Sequence, residues 1–332
     1  MTAPGTRADG APADGLPADG APADGLPADG LRADGAPGPA PVYRPPRAAA
    51  LRRFARAYLA RRAGAAGLGI LVLAALLALT APLYIGDGQL DVTRVDGPLL
   101  APPSGAYPLG TDHAGRSVLL LTVWGARSSL AVGCVATVLT VLLGSAVGLV
   151  AGHYGGRLGR ALMHVTDWFI ALPSLPLAIS LAAVIGQGPV SITIAIAVTS
   201  WSATARLVRA QTIAVGARPF VERARALGAG EAQVMFRHIL PNVTPIILVS
   251  ATLTVASAIL SEATLTFLGL GDPTDVTWGS MLSAALSQGA VTYGAWWYLM
   301  APGTAILLVV LGFTLTGRTV EHLLNPRTGG AS

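Results

Sequence analysis

Residues 64–85 form a run of about 22 residues with no acid and no base, and at 1.5 Å per residue one helix of that length crosses the roughly 30 Å hydrocarbon layer of a bilayer. Further apolar runs at 129–151, 162–185, 189–205, 243–267 and 296–316 bring the expected number of spans to six. In lipid every backbone N–H and C=O must find its partner within the segment, so spans of this kind are helices. The prediction is therefore an all-α integral membrane protein. Composition agrees: 52% of the 332 residues are hydrophobic and 12% charged, and the mean hydropathy is +0.60, more apolar than an ordinary soluble domain.

Charge orients the spans. Six arginines (47, 52, 53, 56, 61 and 62) precede the first run, which places the N-terminus in the cytoplasm by the positive-inside rule. Six more lie in 206–241, and no arginine or lysine occurs between Arg237 and Arg318, so 206–241 faces inward and the short C-terminal segment ends inside. Arg94, Arg116 and Arg127 in the first outer segment run against this pattern, although Asp87, Asp91, Asp96 and Asp112 share that segment. The resulting division is a repeat tail at 1–46, a basic segment with the first span at 47–86, and an outer loop with an interfacial helix over Val118 to Trp124 at 87–128. A five-helix core at 129–317 and an inner tail at 318–332 follow. Ala-Asp-Gly recurs every five residues in 1–46, a composition that builds no core and predicts disorder.

The inner segment 206–241 has its own pattern. Pro219 suits the first turn of a helix, and Glu222 faces the positive end of its dipole. Phe220, Val221, Ala224 and Leu227 recur at helical spacing, so one side is apolar while Arg223 and Arg225 point elsewhere. Gly228 and Gly230 then end the helix, since glycine accepts the left-handed turn. Glu231 opens a second short helix that ends near Pro241, which completes a hairpin. An ordinary basic loop that only fixes topology would share this composition.

The residues carry more. Glu222, Ala224, Gly228, Leu240 and Pro241 stand at the offsets of the loop motif in permease subunits of ATP-binding-cassette importers, and the chain resembles that family, with Arg223 where the family has alanine and Ile239 one place off the pattern. The segments Pro108-Leu109-Gly110-Thr111-Asp112-His113-Ala114-Gly115-Arg116-Ser117 and Gly125-Ala126-Arg127-Ser128-Ser129-Leu130, and 261–279 around Glu262, are similar to the peptide and nickel branch, in its second-permease type. Ser117 replaces the acid that follows the Gly-Arg pair there, and Asn325 replaces the acid near the end. The resemblance implies a type I importer permease fold. It implies a coupling helix whose knob is Val221, Ala224 and Leu227, with Gly228 as its bend. It also implies a second homologous permease, two ATPase subunits that use the ATP, and an extracytoplasmic solute-binding protein, all at the cytoplasmic (inner) membrane. Peptides are the expected solute and nickel the next.

Other chemistry finds little support. All 22 basic residues are arginines, which excludes a phosphate-loop lysine and a Schiff base in this chain. The expectation is a transport subunit with no catalytic residues, no bound cofactor, no metal site and no nucleic-acid partner, and with lipid around it. Asp112 and His113 lack a nucleophile at a set spacing. Cys134 has no cysteine to pair with. Two ionisable residues fall within spans, where charge is costly and tends to face protein or water. Asp167 is either solvated at the inner edge or part of the pathway; Glu262 makes a structural hydrogen bond or a gate contact. Tyr293, Trp296, Trp297 and Tyr298 read as an interfacial belt. The alternative from another class is a secondary transporter or channel driven by an ion gradient, which would favour mid-membrane acids and an inverted repeat.

Overall fold

The computed structural model describes residues 47–324; the repeat tail at 1–46 and the last residues, 325–332, lie outside the described residues. The chain runs through α1 (Arg47–Leu59), α2 (Arg62–Tyr84), α3 (Asp87–Leu90), α4 (Val118–Tyr154), α5 (Gly156–Ala171) and α6 (Ser174–Ile185). It continues through α7 (Pro189–Gly216), α8 (Pro219–Ala226), α9 (Glu231–Gln233), a π-helical turn (Val234–Ile239), α10 (Leu240–Phe267), α11 (Trp278–Ser287) and α12 (Trp296–Leu324). Five helices are long and apolar enough to cross a membrane, and α5 with α6, bent by 94° at their junction, makes a broken sixth.

Glycine sets the closest packing. Gly144, Gly148 and Gly152 form a stripe on α4, and a side chain at Gly144 would meet the Trp201 carbonyl at 2.6 Å and one at Gly152 would meet Thr212 at 2.7 Å. The backbones of α4 and α7 therefore approach more closely than larger residues allow. On the opposite flank α2 lies along α12, where a Cβ at Gly67 would come within 2.8 Å of the Gly312 carbonyl. The outward side chains of α2, among them Leu73, Leu79 and Leu83, stay exposed, as a lipid-facing surface requires.

The spans begin and end differently from the sequence reading at four places. Val118 to Trp124 is no separate interfacial helix but the first two turns of α4; nothing breaks the helix before Ser129, and Val118 and Leu121 are buried in the core instead of lying on lipid. The third span is two helices, because Leu172 is extended ahead of Pro173, as the residue before a proline prefers. The fourth, α7, continues 11 residues past Ala205 to Gly216, so the start of 206–241 is helix and not loop. The second arm of the hairpin does not end near Pro241. Glu231–Phe267 is one uninterrupted helix of 37 residues, in which the π turn shifts the register just before Pro241, a residue with no N–H to give.

Candidate functional site

Three regions carry the chemistry, and the hairpin is the first. Helix α8 starts with Pro219 at its first turn and Glu222 behind it. It ends in a Schellman turn: Gly228, at φ +84°, donates to the Arg225 carbonyl at 2.9 Å, and Ala229 donates to that of Ala224 at 3.0 Å. Only glycine takes this conformation without strain. The apolar knob, however, is composed differently from the sequence reading. Val221 is buried, packed with Leu149, Val208, Val215, Val234, Met235, Ile239 and Val243, because it is the residue that fastens α8 to the body. Ala224 is half-buried and Glu222 exposed. Leu227 projects with 88% of its surface exposed, and Phe220 and Phe236 are exposed as well. Leu240 and Pro241 sit at the start of α10. The root of the hairpin is tied down by polar contacts, with a Glu231 carboxylate oxygen 2.9 Å from His153 Nε2 of α4 and 3.5 Å from Arg225 Nη2.

The second region is a cavity of about 770 Å³ at the break between α5 and α6, walled by α7, α10 and the inner end of α12. Hydroxyls of Thr199, Ser200, Ser202, Ser250, Thr254 and Ser257 line it among apolar side chains such as Phe169, Leu207, Ile246 and Leu253, with Glu321 as its charged residue. Several of these hydroxyls donate to their own helix, Thr199 to Ala195 and Thr254 to Ser250, which leaves oxygen lone pairs toward the cavity. Beside it, Asp167 of α5 and Arg206 of α7 form an ion pair of 2.6 Å, both about half exposed. Two residues along α5, Phe169 meets Trp201 edge to face with centroids 5.3 Å apart. Sequence reasoning singled out Asp167 but missed Arg206 and Glu321, since nothing local links residues 39 apart.

Glu262 stands in the last two turns of α10. It is fully buried and lines no part of the cavity. Neither carboxylate oxygen has a hydrogen-bond partner among the described residues, although the Ser129 and Thr266 hydroxyls stand beside it. Thr266 gives its proton to backbone carbonyls, whereas Ser129 Oγ accepts from the Trp278 N–H at 3.2 Å and keeps its own O–H free to give to the Glu262 carboxylate.

The third region is the outer loop. Asp112 is buried and accepts from the backbone N–H groups of Ala114 and Arg116. Its Oδ2 accepts from Arg116 Nε at 2.8 Å and lies 2.7 Å from Nη2, so Asp112 supplies the acid that Ser117 does not. Trp297 Nε1 donates to the Thr111 carbonyl at 3.2 Å, and Tyr298 lies against His113. Trp297 and Tyr298 are thus buried partners of this loop, not belt residues; Tyr293 and Trp296 are exposed. Further out, the Thr93 N–H and hydroxyl hold the Asp91 carboxyl below its ordinary range, and the Thr274 hydroxyl and N–H do the same for Asp272.

The family described as "Binding-protein-dependent transport system inner membrane component" matches residues 144–330. The di/tripeptide transport system permease protein DppC of Pseudomonas aeruginosa (strain UCBPP-PA14) is 36% identical over 304 residues, covering 90% of this chain and 97% of that protein. The oligopeptide transport system permease protein OppC of Bacillus subtilis (strain 168) is 37% identical over 262 residues, 79% of this chain and 84% of its own. The glutathione transport system permease protein GsiD of Pectobacterium atrosepticum is 35% identical over 279 residues, 83% and 89% of the two chains.

Proposed function

This chain belongs to the family of binding-protein-dependent transport system inner-membrane components, as a permease subunit of the peptide type of ATP-binding-cassette importer, and from that premise we propose that its hydroxyl-lined cavity is one half of a peptide path driven from the hairpin. The observation that carries the reading is the end of α8, where Leu227 projects clear of a helix that Val221 pins to the body. A rigidly held apolar residue of this kind is suited to seat in a groove of another protein. That protein is an ATPase subunit; two of them hydrolyse the ATP, a second permease completes the path, and a solute-binding protein delivers solute from outside. Both termini face the cytosol. The names of the relatives favour peptides over nickel, and family membership sets aside the ion-gradient transporter. The cavity's neutral hydroxyls offer hydrogen bonds to peptides of varied sequence, and Glu321 is the one charged group among the lining residues. When the full chain is co-expressed with its partners, it is expected to copurify with an ATP-binding-cassette ATPase, and peptide uptake into proteoliposomes is expected to need ATP and the binding protein. Uptake by this chain without them would end the proposal.

Asp167 and Arg206 act in this reading as the latch of the inner mouth. Helix α5 buries only Gly159 and Thr166, begins after Gly155 and ends at the bend before α6, so it is a lightly packed arm. An ion pair this exposed is worth at most about 1 kcal/mol, which lets it open on each cycle. Asp167→Arg is expected to cut peptide uptake severalfold, and the swap Asp167→Arg with Arg206→Asp to restore most of it. A double variant no better than the single one would remove the latch.

A further inference from the structure

Outside the hairpin, the largest concentration of uncompensated charge lies where the first span begins. Two residues separate the end of α1 from the start of α2, and Arg52, Arg53, Arg56, Arg61 and Arg62 are all exposed. The corner extends to a third helix. A Cβ at Gly64 would meet Thr319 of α12 at 2.7 Å and the Tyr58 carbonyl at 3.1 Å, and Tyr58 is buried there. Arg318, next to Thr319, is exposed, making six guanidinium groups around one junction. None of the six is in an ion pair among the described residues, and the sequence has no acid from Arg47 to Gly86.

Position decides what these charges meet. Arg62 is the first residue of a helix whose apolar stretch crosses the bilayer, so Arg61, Arg62 and the end of α1 that adjoins them stand at the headgroup layer. Leu59, exposed amid the arginines, gives it an apolar edge to set into that layer. A planar guanidinium accepts the phosphodiester oxygens of a lipid in a fork, and anionic leaflets draw such basic segments to themselves. We propose that α1, with Arg61, Arg62 and Arg318, is a docking surface for the headgroups of anionic phospholipids. This inference needs only the assignment of α2 as a span and is independent of the solute.

The test uses the full chain in nanodiscs, with Cys134→Ser and an environment-sensitive dye on Ala57→Cys, an exposed position of α1. A blue shift is expected when phosphatidylglycerol is added to phosphatidylcholine, and salt is expected to reverse it. In R52Q/R53Q/R56Q the shift is expected to be lost at every phosphatidylglycerol fraction, with the discs still monodisperse because these side chains hold nothing in the chain. Retention of bound phosphatidylglycerol by the parent and its loss by the triple variant in native mass spectrometry is the second readout. Equal emission in both lipids, a shift that the triple variant keeps, or displacement by inorganic phosphate would each overturn the proposal; the first makes the arginines a merely solvated face, and the last a soluble-anion site.

Discussion

Leu227→Asp is expected to abolish ATP-driven peptide uptake while leaving the chain folded. The side chain is 88% exposed, and the turn around it is held by backbone bonds at Gly228 and Ala229, so the substitution removes no internal contact. In the groove of an ATPase the new carboxylate would be desolvated without a partner, at a cost of about 2 kcal/mol or more. That is enough to lower the affinity of the docked state by well over tenfold, since each 1.4 kcal/mol is about a factor of ten. Copurification of the ATPase with parent and variant, followed by uptake in proteoliposomes, checks it. Undiminished uptake would mean that the motor grips elsewhere on the hairpin. Gly228→Pro is a poor substitute for this experiment: proline cannot reach φ +84°, so it would disorganise the hairpin before testing the contact.

The largest effect on stability is expected at Asp112. Asp112→Asn keeps the shape but leaves Arg116, with 15% of its side chain exposed, facing a neutral amide. Removing one partner of a buried pair costs about 3–5 kcal/mol. The loss should appear as a markedly lower unfolding temperature in detergent. The double replacement Asp112→Leu with Arg116→Met should recover much of it, because a buried pair exchanged for apolar groups is often neutral. A double variant as unstable as the single one would show that Asp112 matters for its backbone hydrogen bonds to Ala114 and Arg116 more than for its charge.

What the sequence made legible was everything governed by transfer and local geometry. Apolar length located the spans, though α4 begins 11 residues before Ser129 and α7 runs 11 past Ala205, and glycine marked the Schellman turn at Gly228. What it hid depends on contacts between distant residues. Val221 looked like part of an exposed knob because helical spacing tells which residues share a side, not which side meets the body. Trp297 and Tyr298 looked like belt residues for the same reason: an aromatic near a span end satisfies the belt rule until a loop 186 residues away offers its carbonyl. Helix α11 was missed although its start has a readable signal, Thr277 and Ser280 in a reciprocal capping box. Pro241 misled because a proline commonly ends a helix, and the π turn ahead of it was not anticipated.

That π turn has a mechanical consequence. At 1.5 Å per residue the 37 residues from Glu231 to Phe267 make a strut about 55 Å long, joining the hairpin to the seat of α11 with no loop between. Flexural weakness is gathered at one end, in the widened turn Val234–Ile239 and at Pro245, where wide turns and prolines soften a helix. Beyond them the strut is stiff. A thrust arriving at the cytosolic end therefore either bends those few residues or swings the far end as a single piece, and their stiffness sets how much of each stroke reaches the opposite face of the membrane.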